Sequence, residues 1–213
     1  MKDKLKKLIS DINQLKESYV ANIIRNKIRE FESLRTSSPN NIFKELCFCI
    51  LTANYNAKKA IKIQKAVNEQ FLYLDEKSLA LKLKLLGYRY PNTRAKYIVD
   101  ARKHIEEIIK LINSGTNEHQ IRKYLVSNVK GLGYKEASHF LRNIGFKNLA
   151  IIDFHILNLL HKYEIIDKKF KYTTSRKYLE IEETLRNIAN KCSLTLAELD
   201  LYLWYLETGK ILK

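Results

Sequence analysis

Gly131 and Gly133 bracket a single apolar residue, Leu132, between two stretches of helical spacing, and this feature most limits how the chain can fold. Ile121 to Val126 reads as the end of one helix and Lys135 to Asn143 as the body of the next, which predicts a helix-hairpin-helix. Glycine permits backbone conformations that side chains obstruct, and it leaves amide N–H groups open to an anion such as a DNA phosphate. Taken alone, Gly-x-Gly fits an ordinary tight turn between packed helices at least as well.

The neighbouring residues narrow the choice. Lys135 stands in the first turn of the second helix, where the helix dipole disfavours a cation and favours the neutral amine, a nucleophile able to form a Schiff base. Asp153 interrupts the apolar run Leu149-Ala150-Ile151-Ile152 just ahead of another helical segment, Phe154 to Tyr163. Read singly, Lys135 is a solvated lysine and Asp153 a helix N-cap. Read together with the hairpin, they are a nucleophile and a carboxylate, the two candidate catalytic residues.

Gly131-Leu132-Gly133-Tyr134-Lys135 followed by Ile152-Asp153-Phe154-His155 resembles the hairpin and aspartate signature of the base-excision DNA glycosylases related to endonuclease III. The resemblance is closest, almost end to end, to the type-2, archaeal-style 8-oxoguanine DNA glycosylases. It runs through the blocks from Phe43 to Asn54, Gly133 to Asn143 and Glu198 to Leu206, and the closing Thr208-Gly209-Lys210-Ile211-Leu212-Lys213. No proline follows Gly145, so the Gly/Pro-rich loop of the signature is matched only loosely.

The resemblance implies an all-α fold of two helical subdomains with an active-site cleft between them. A central subdomain over 40–145 would end in the helix-hairpin-helix, its hairpin at 128–135; both termini, 1–35 and 146–213, would form the second. The implied activity is that of a bifunctional 8-oxoguanine DNA N-glycosylase and AP lyase of base-excision repair. Lys135 would attack C1′ and form a Schiff base, Asp153 would stabilise charge on the sugar, and β-elimination would cleave the strand. Gly131 and Gly133 would hold the DNA backbone.

Four further roles follow from the same resemblance, and Asn54 adds a fifth candidate. Trp204, the only tryptophan, would stack on the oxidised base, and the terminal Lys213 would distinguish 8-oxoguanine from guanine. Tyr90 offers a second stacking face, His139 borders the pocket one helical turn after Lys135, and Asn54 touches the gap left by the flipped base. On residue type alone, Trp204 also fits a core filler, Tyr90 a surface tyrosine, His139 a structural histidine, Asn54 a helix C-cap and Lys213 a frayed end. Two alternatives stay open: a glycosylase of the same fold for another damaged base, and a non-catalytic helix-hairpin-helix DNA-binding module.

Charge and composition agree with a nucleic-acid partner. Lys and Arg number 39 against 23 Asp and Glu, a formal charge of +16 that calls for a polyanion, here double-stranded DNA. Cys47, Cys49 and Cys192 are too few and too irregularly spaced for a disulfide framework, a zinc site or a four-cysteine iron–sulfur loop, and read as reduced, buried thiols. Neither cofactor nor metal is expected. No apolar run approaches the roughly 18 residues of a membrane span, and Met1-Lys2-Asp3-Lys4-Leu5 lacks a signal-peptide core, so the reading is an intracellular, cytoplasmic, soluble monomer with no membrane partner. Six glycines and two prolines leave few helix breakers. Periodicity predicts one or two amphipathic helices over Leu5 to Leu34, then helices over Ile42 to Thr52, Ala57 to Phe71, Lys77 to Leu86, Thr93 to Asn113, Ser175 to Lys191 and Leu194 to Thr208, with no strand.

Overall fold

The structure, a computed structural model, describes residues 2–167 and 174–213, and every regular element among them is helical. In chain order these are α1 (Lys2–Lys16), α2 (Tyr19–Arg35), α3 (Pro39–Thr52), α4 (Ala57–Val67), α5 (Gln70–Tyr73), α6 (Glu76–Leu85) and α7 (Pro91–Ala101), then α8 (Ile105–Asn113), α9 (Glu118–Asn128), α10 (Tyr134–Asn143), α11 (Phe154–Lys162), α12 (Ser175–Lys191) and α13 (Leu196–Thr208). The chain divides into two compact units. One comprises Ser33–Ile144 and Leu212, the other Met1–Glu32, Gly145–Ile211 and Lys213.

The first unit is built around α3. Its sequence is apolar on nearly every face, from Ile42 and Phe43 to Leu51, and a helix of that kind has to be enclosed. Helices α4, α5, α7, α8 and α10 pack against it. Pro39 occupies its first position, and the Ser38 side chain accepts from the Asn41 N–H at 3.3 Å, so the start is fixed by local chemistry. Polar ties cross the interior as well: Glu45 Oε1 accepts from Asn143 Nδ2 at 2.6 Å and Glu45 Oε2 from Gln64 Nε2 at 3.3 Å, which joins α3 to α10 and α4.

Two helices expected to be continuous are broken. The segment from Ala57 to Phe71 stops at Val67, because Asn68 takes a positive φ of 45°, and resumes as the short α5. The segment from Thr93 to Asn113 is interrupted by a single 3-10 turn, Arg102–His104. There Arg102 Nε donates to the Phe71 carbonyl at 2.9 Å and Nη2 to the Leu74 carbonyl at 2.6 Å, so the kink serves a long-range cap on the end of α5.

The second unit packs α13 against α11, α12 and α1. A capping box opens α13, with Thr195 N–H donating to Glu198 Oε2 at 2.8 Å and Glu198 N–H to Thr195 Oγ1 at 3.2 Å, and left-handed Gly209 ends it. Residues 149–152 are buried but not helical, so their backbone groups need other partners. Ala150 N–H donates to Glu182 Oε2 at 2.9 Å, Tyr178 Oη donates to the Ala150 carbonyl at 2.7 Å, and Ile152 N–H donates back to Tyr178 Oη at 3.3 Å. Two side chains of α12 thus fix the strap that ends at Asp153. Among the described residues no helix is long and apolar enough to cross a membrane.

Gly145 shows what the missing proline leaves in place. Its φ is +88°, and a β-carbon there would lie 2.9 Å from Glu32 Cα and 3.1 Å from the Phe31 carbonyl oxygen. Gly115, at φ +72°, has nothing within 4 Å of the same point. Gly115→Ala therefore costs about 1 kcal/mol of conformational strain, whereas Gly145→Ala adds overpacking against α2 and costs roughly 3 kcal/mol or more. Urea unfolding of both variants measures this; equal midpoint shifts would contradict the close approach.

Candidate active site

The hairpin begins where α9 runs out. Val129 N–H donates to the Leu125 carbonyl at 2.9 Å, Leu132 N–H to the Val129 carbonyl at 3.3 Å, and the Leu132 side chain is buried as the anchor of the turn. Gly131 has φ +86°, and a β-carbon on it would sit 2.5 Å from Tyr97 Cδ2 and 3.2 Å from Arg94 Nη1. This glycine is required twice, by its dihedral and by the α7 side chains pressed against it.

Gly133 behaves differently from the expectation of an open amide. It is the N-cap of α10, and its N–H donates to Glu136 Oε2 at 3.2 Å, the reach-back of a residue three places into a helix. The other carboxylate oxygen, Oε1, lies 3.5 Å from Lys135 Nζ. An anion reaching the Gly133 amide has to displace Glu136. Lys135 is the second residue of α10, its side chain 24% exposed.

Below this turn sits a charged residue that sequence reading passed over. Arg122 of α9 is buried; its Nη1 donates to Ser138 Oγ at 3.1 Å, its Nη2 lies 3.3 Å from His119 Nδ1, and its guanidinium carbon lies 5.0 Å from the centre of the Tyr134 ring. Tyr134 and Ser138 flank Lys135 on α10, so Arg122 sets the rotation of the helix that presents the amine. His139 is only 7% exposed and meets the Phe48 ring edge-on at 5.6 Å, inside the packing of α10 on α3. A signal existed for Arg122: with Glu118, Ile121 and Leu125 it shares the buried face of α9.

Arg94 is the second such residue. Its Nη2 donates to the Ala53 carbonyl at 3.1 Å and its guanidinium lies 5.5 Å from the Tyr97 ring centre. Tyr88 Oη donates to the Leu51 carbonyl at 2.7 Å; burial pushes this phenol above its ordinary range and the neighbouring Arg94 pulls it partly back. Asn54 follows Ala53 directly, exposed and left-handed at φ 57°, in the turn just past α3 rather than within the helix. Tyr90 stands at the N-cap of α7, exposed, with the Arg89 guanidinium 5.0 Å from its ring centre.

In the other unit, Asp153 is the N-cap of α11. Its Oδ1 accepts from the Ile156 N–H at 3.0 Å, and Oδ2 has no partner among the described residues. Phe154 beside it is 67% exposed. His155 meets the Trp204 ring edge-on at 4.7 Å, Trp204 is half-buried, and Lys213 at the end of the chain is half-buried too. Among the described residues no group of three or more His, Cys, Asp and Glu side chains could hold a metal ion.

Two helices joined through Gly131-Leu132-Gly133 in an otherwise helical chain define a helix-hairpin-helix protein. Within that class, the profile of the 8-oxoguanine DNA glycosylase family matches residues 24–194, and the chain belongs to that family. A relative from Korarchaeum cryptofilum, named 8-oxoguanine DNA glycosylase/AP lyase, is 52% identical over 206 residues that cover 97% of this chain and 98% of its own. The crystal structure of the Methanocaldococcus jannaschii 8-oxoguanine glycosylase/lyase in complex with a 15mer DNA containing 8-oxoguanine matches with a TM-score of 0.94 at 50% identity, over 97% of this chain and 100% of that one. The 8-oxoguanine DNA glycosylase of Thermotoga maritima matches at 0.92 and 38% identity, over 98% and 100%.

The crowding at Gly131 is separable into parts. Gly131→Ala is expected to cost about 2 to 4 kcal/mol, from left-handed strain and from collision with Tyr97. Adding Tyr97→Ala removes the collision alone, so the two changes couple favourably by about 1 kcal/mol or more in a double-mutant cycle followed by thermal unfolding. Strict additivity would show that the ring is not what excludes a side chain.

Proposed function

We propose that the chain excises 8-oxoguanine from duplex DNA and then cleaves the strand at the abasic site, as an N-glycosylase and AP lyase of base-excision repair. The observation that carries this reading is the lysine in the first turn of the hairpin helix of a chain from the 8-oxoguanine DNA glycosylase family. The base to be removed has to leave the stack before its glycosidic bond can be reached.

Lys135 Nζ, as the free amine, attacks C1′ while the bond from C1′ to the base breaks and the base leaves with a proton. Opening of the sugar ring gives the Schiff base. Loss of a C2′ proton then expels the 3′ phosphate, which is β-elimination. Asp153 opposes the positive charge that develops on the sugar and helps the lysine shed its proton; Oδ1 is committed to the helix cap, so Oδ2 performs both tasks. Gly131 and Gly133 meet the DNA backbone, Trp204 stacks on the base, Lys213 reads it, and Tyr90 and Asn54 face the DNA near the extruded nucleotide. His139 acts from inside, holding α10 on Phe48. The protein works as a monomer on chromosomal DNA inside the cell.

Borohydride reduction during reaction with an 8-oxoguanine duplex should trap a covalent adduct with the wild type and none with Lys135→Gln; persistent trapping in that variant would remove the nucleophile assignment. Asp153→Asn separates structure from chemistry, because asparagine caps a helix as well as aspartate does. It should unfold within about 0.5 kcal/mol of the wild type and lose glycosylase rate by a factor on the order of 10² or more. A variant that kept its rate would leave Asp153 as a cap only. Excision across a panel of damaged bases, repeated with Lys213 deleted, tests the substrate: unchanged discrimination against guanine would count against the terminal lysine.

A further inference from the structure

A buried cation normally faces a carboxylate, because leaving the charge unpaired in a low-dielectric interior costs several kcal/mol. Arg94 does not follow the rule. It is 9% exposed, makes no ion pair with any Asp or Glu among the described residues, and its buried Nε has no hydrogen-bond partner among them. What surrounds it is the Ala53 carbonyl at the end of α3, the Tyr97 ring, the Tyr88 phenol and, within 3.2 Å of where a side chain would begin, Gly131. The carbonyl end of a helix and an aromatic face offset part of a positive charge and not all of it.

The placement gives the residual charge a purpose. Nη1 lies directly against the hairpin turn, and Nη2 holds the residue before Asn54. Glycine at 131 is what lets the guanidinium come so close to the turn. We infer that Arg94 is a DNA-backbone residue of the hairpin: its uncompensated charge beneath Gly131 attracts the phosphate that the turn binds, and its bond to Ala53 keeps the Asn54 turn in register with that phosphate. The inference deepens the reading of the hairpin as a DNA contact and rests on it, but it does not depend on the chemistry of Lys135.

Arg94→Met distinguishes a binding role from a structural one by opposite signs. Replacing an unpaired buried charge with an apolar side chain of similar length leaves folding stability unchanged or higher. It also removes one cation from the DNA footprint. Anisotropy titrations of a fluorescein-labelled, undamaged duplex over a series of NaCl concentrations should show the slope of log K against log salt fall by about one unit in Arg94→Met and stay at the wild-type value in Arg94→Lys. Affinity at the lowest salt should drop roughly tenfold for Met, in keeping with one lost phosphate contact.

A wild-type slope in Arg94→Met overturns the inference, whatever the variant's stability. Should Met fail to fold, Arg94→Gln, which can still donate to Ala53, is read in the same way. If neither folds, Arg94 is a structural residue and the inference is wrong. Borohydride trapping run beside the titrations keeps the two readings apart. Absence of trapping in the wild type counts against Lys135 chemistry and leaves the salt slopes to decide on Arg94.

Discussion

The presentation of Lys135 depends on a guanidinium that never meets solvent. Arg122 holds the Tyr134 ring and Ser138 hydroxyl on either side of the lysine, while Asn143 at the far end of the same helix is bound to Glu45 of α3. Such contacts are directional and lie where water cannot replace them, so slipping α10 by part of a turn would strand several polar groups at once. The helix is pinned near both of its ends. Chemistry that requires an amine to be placed to within a fraction of an ångström needs this kind of support from residues that do not touch the substrate.

The second unit solves a similar problem with different parts. A buried segment without regular structure, 149–152, has its backbone groups satisfied by Glu182 and Tyr178, and only then does Asp153 cap α11. One carboxylate oxygen is spent on the helix and the other is left over. The division explains how one residue can be both a local structural element and a candidate for chemistry. Glu136 shows the same doubling, one oxygen on the Gly133 amide and the other toward Lys135.

Much of this was legible in the chain, and the limits of legibility have a physical pattern. Features decided by neighbours in sequence were readable: the Gly131-Leu132-Gly133 turn, the cap at Asp153, and the enclosed apolar α3. Features decided by distant partners were not. The break at Arg102–His104 depends on carbonyls of Phe71 and Leu74, which no local periodicity announces. The Gly133 amide reads as open until Glu136 is seen to fold back on it. Arg94 and Arg122 look like ordinary surface cations unless their place on the apolar faces of α7 and α9 is counted; Arg94 shares its face with Ile98 and Ala101. Trp204 lies between its two sequence readings, half-buried and edge-on to His155.

Cys47, Cys49 and Cys192 are all buried and unpaired with one another. Burial pushes the Cys47 thiol well above its ordinary range, with Arg102 opposing, and raises Cys192 as well, with Lys16 opposing. The thiolate is the form that peroxides attack, and both burial and a raised pKa keep it scarce. A catalyst whose substrate arises from reactive oxygen is thereby armoured against the agent that makes its work necessary: the molecules that oxidise guanine find no sulfur here within reach.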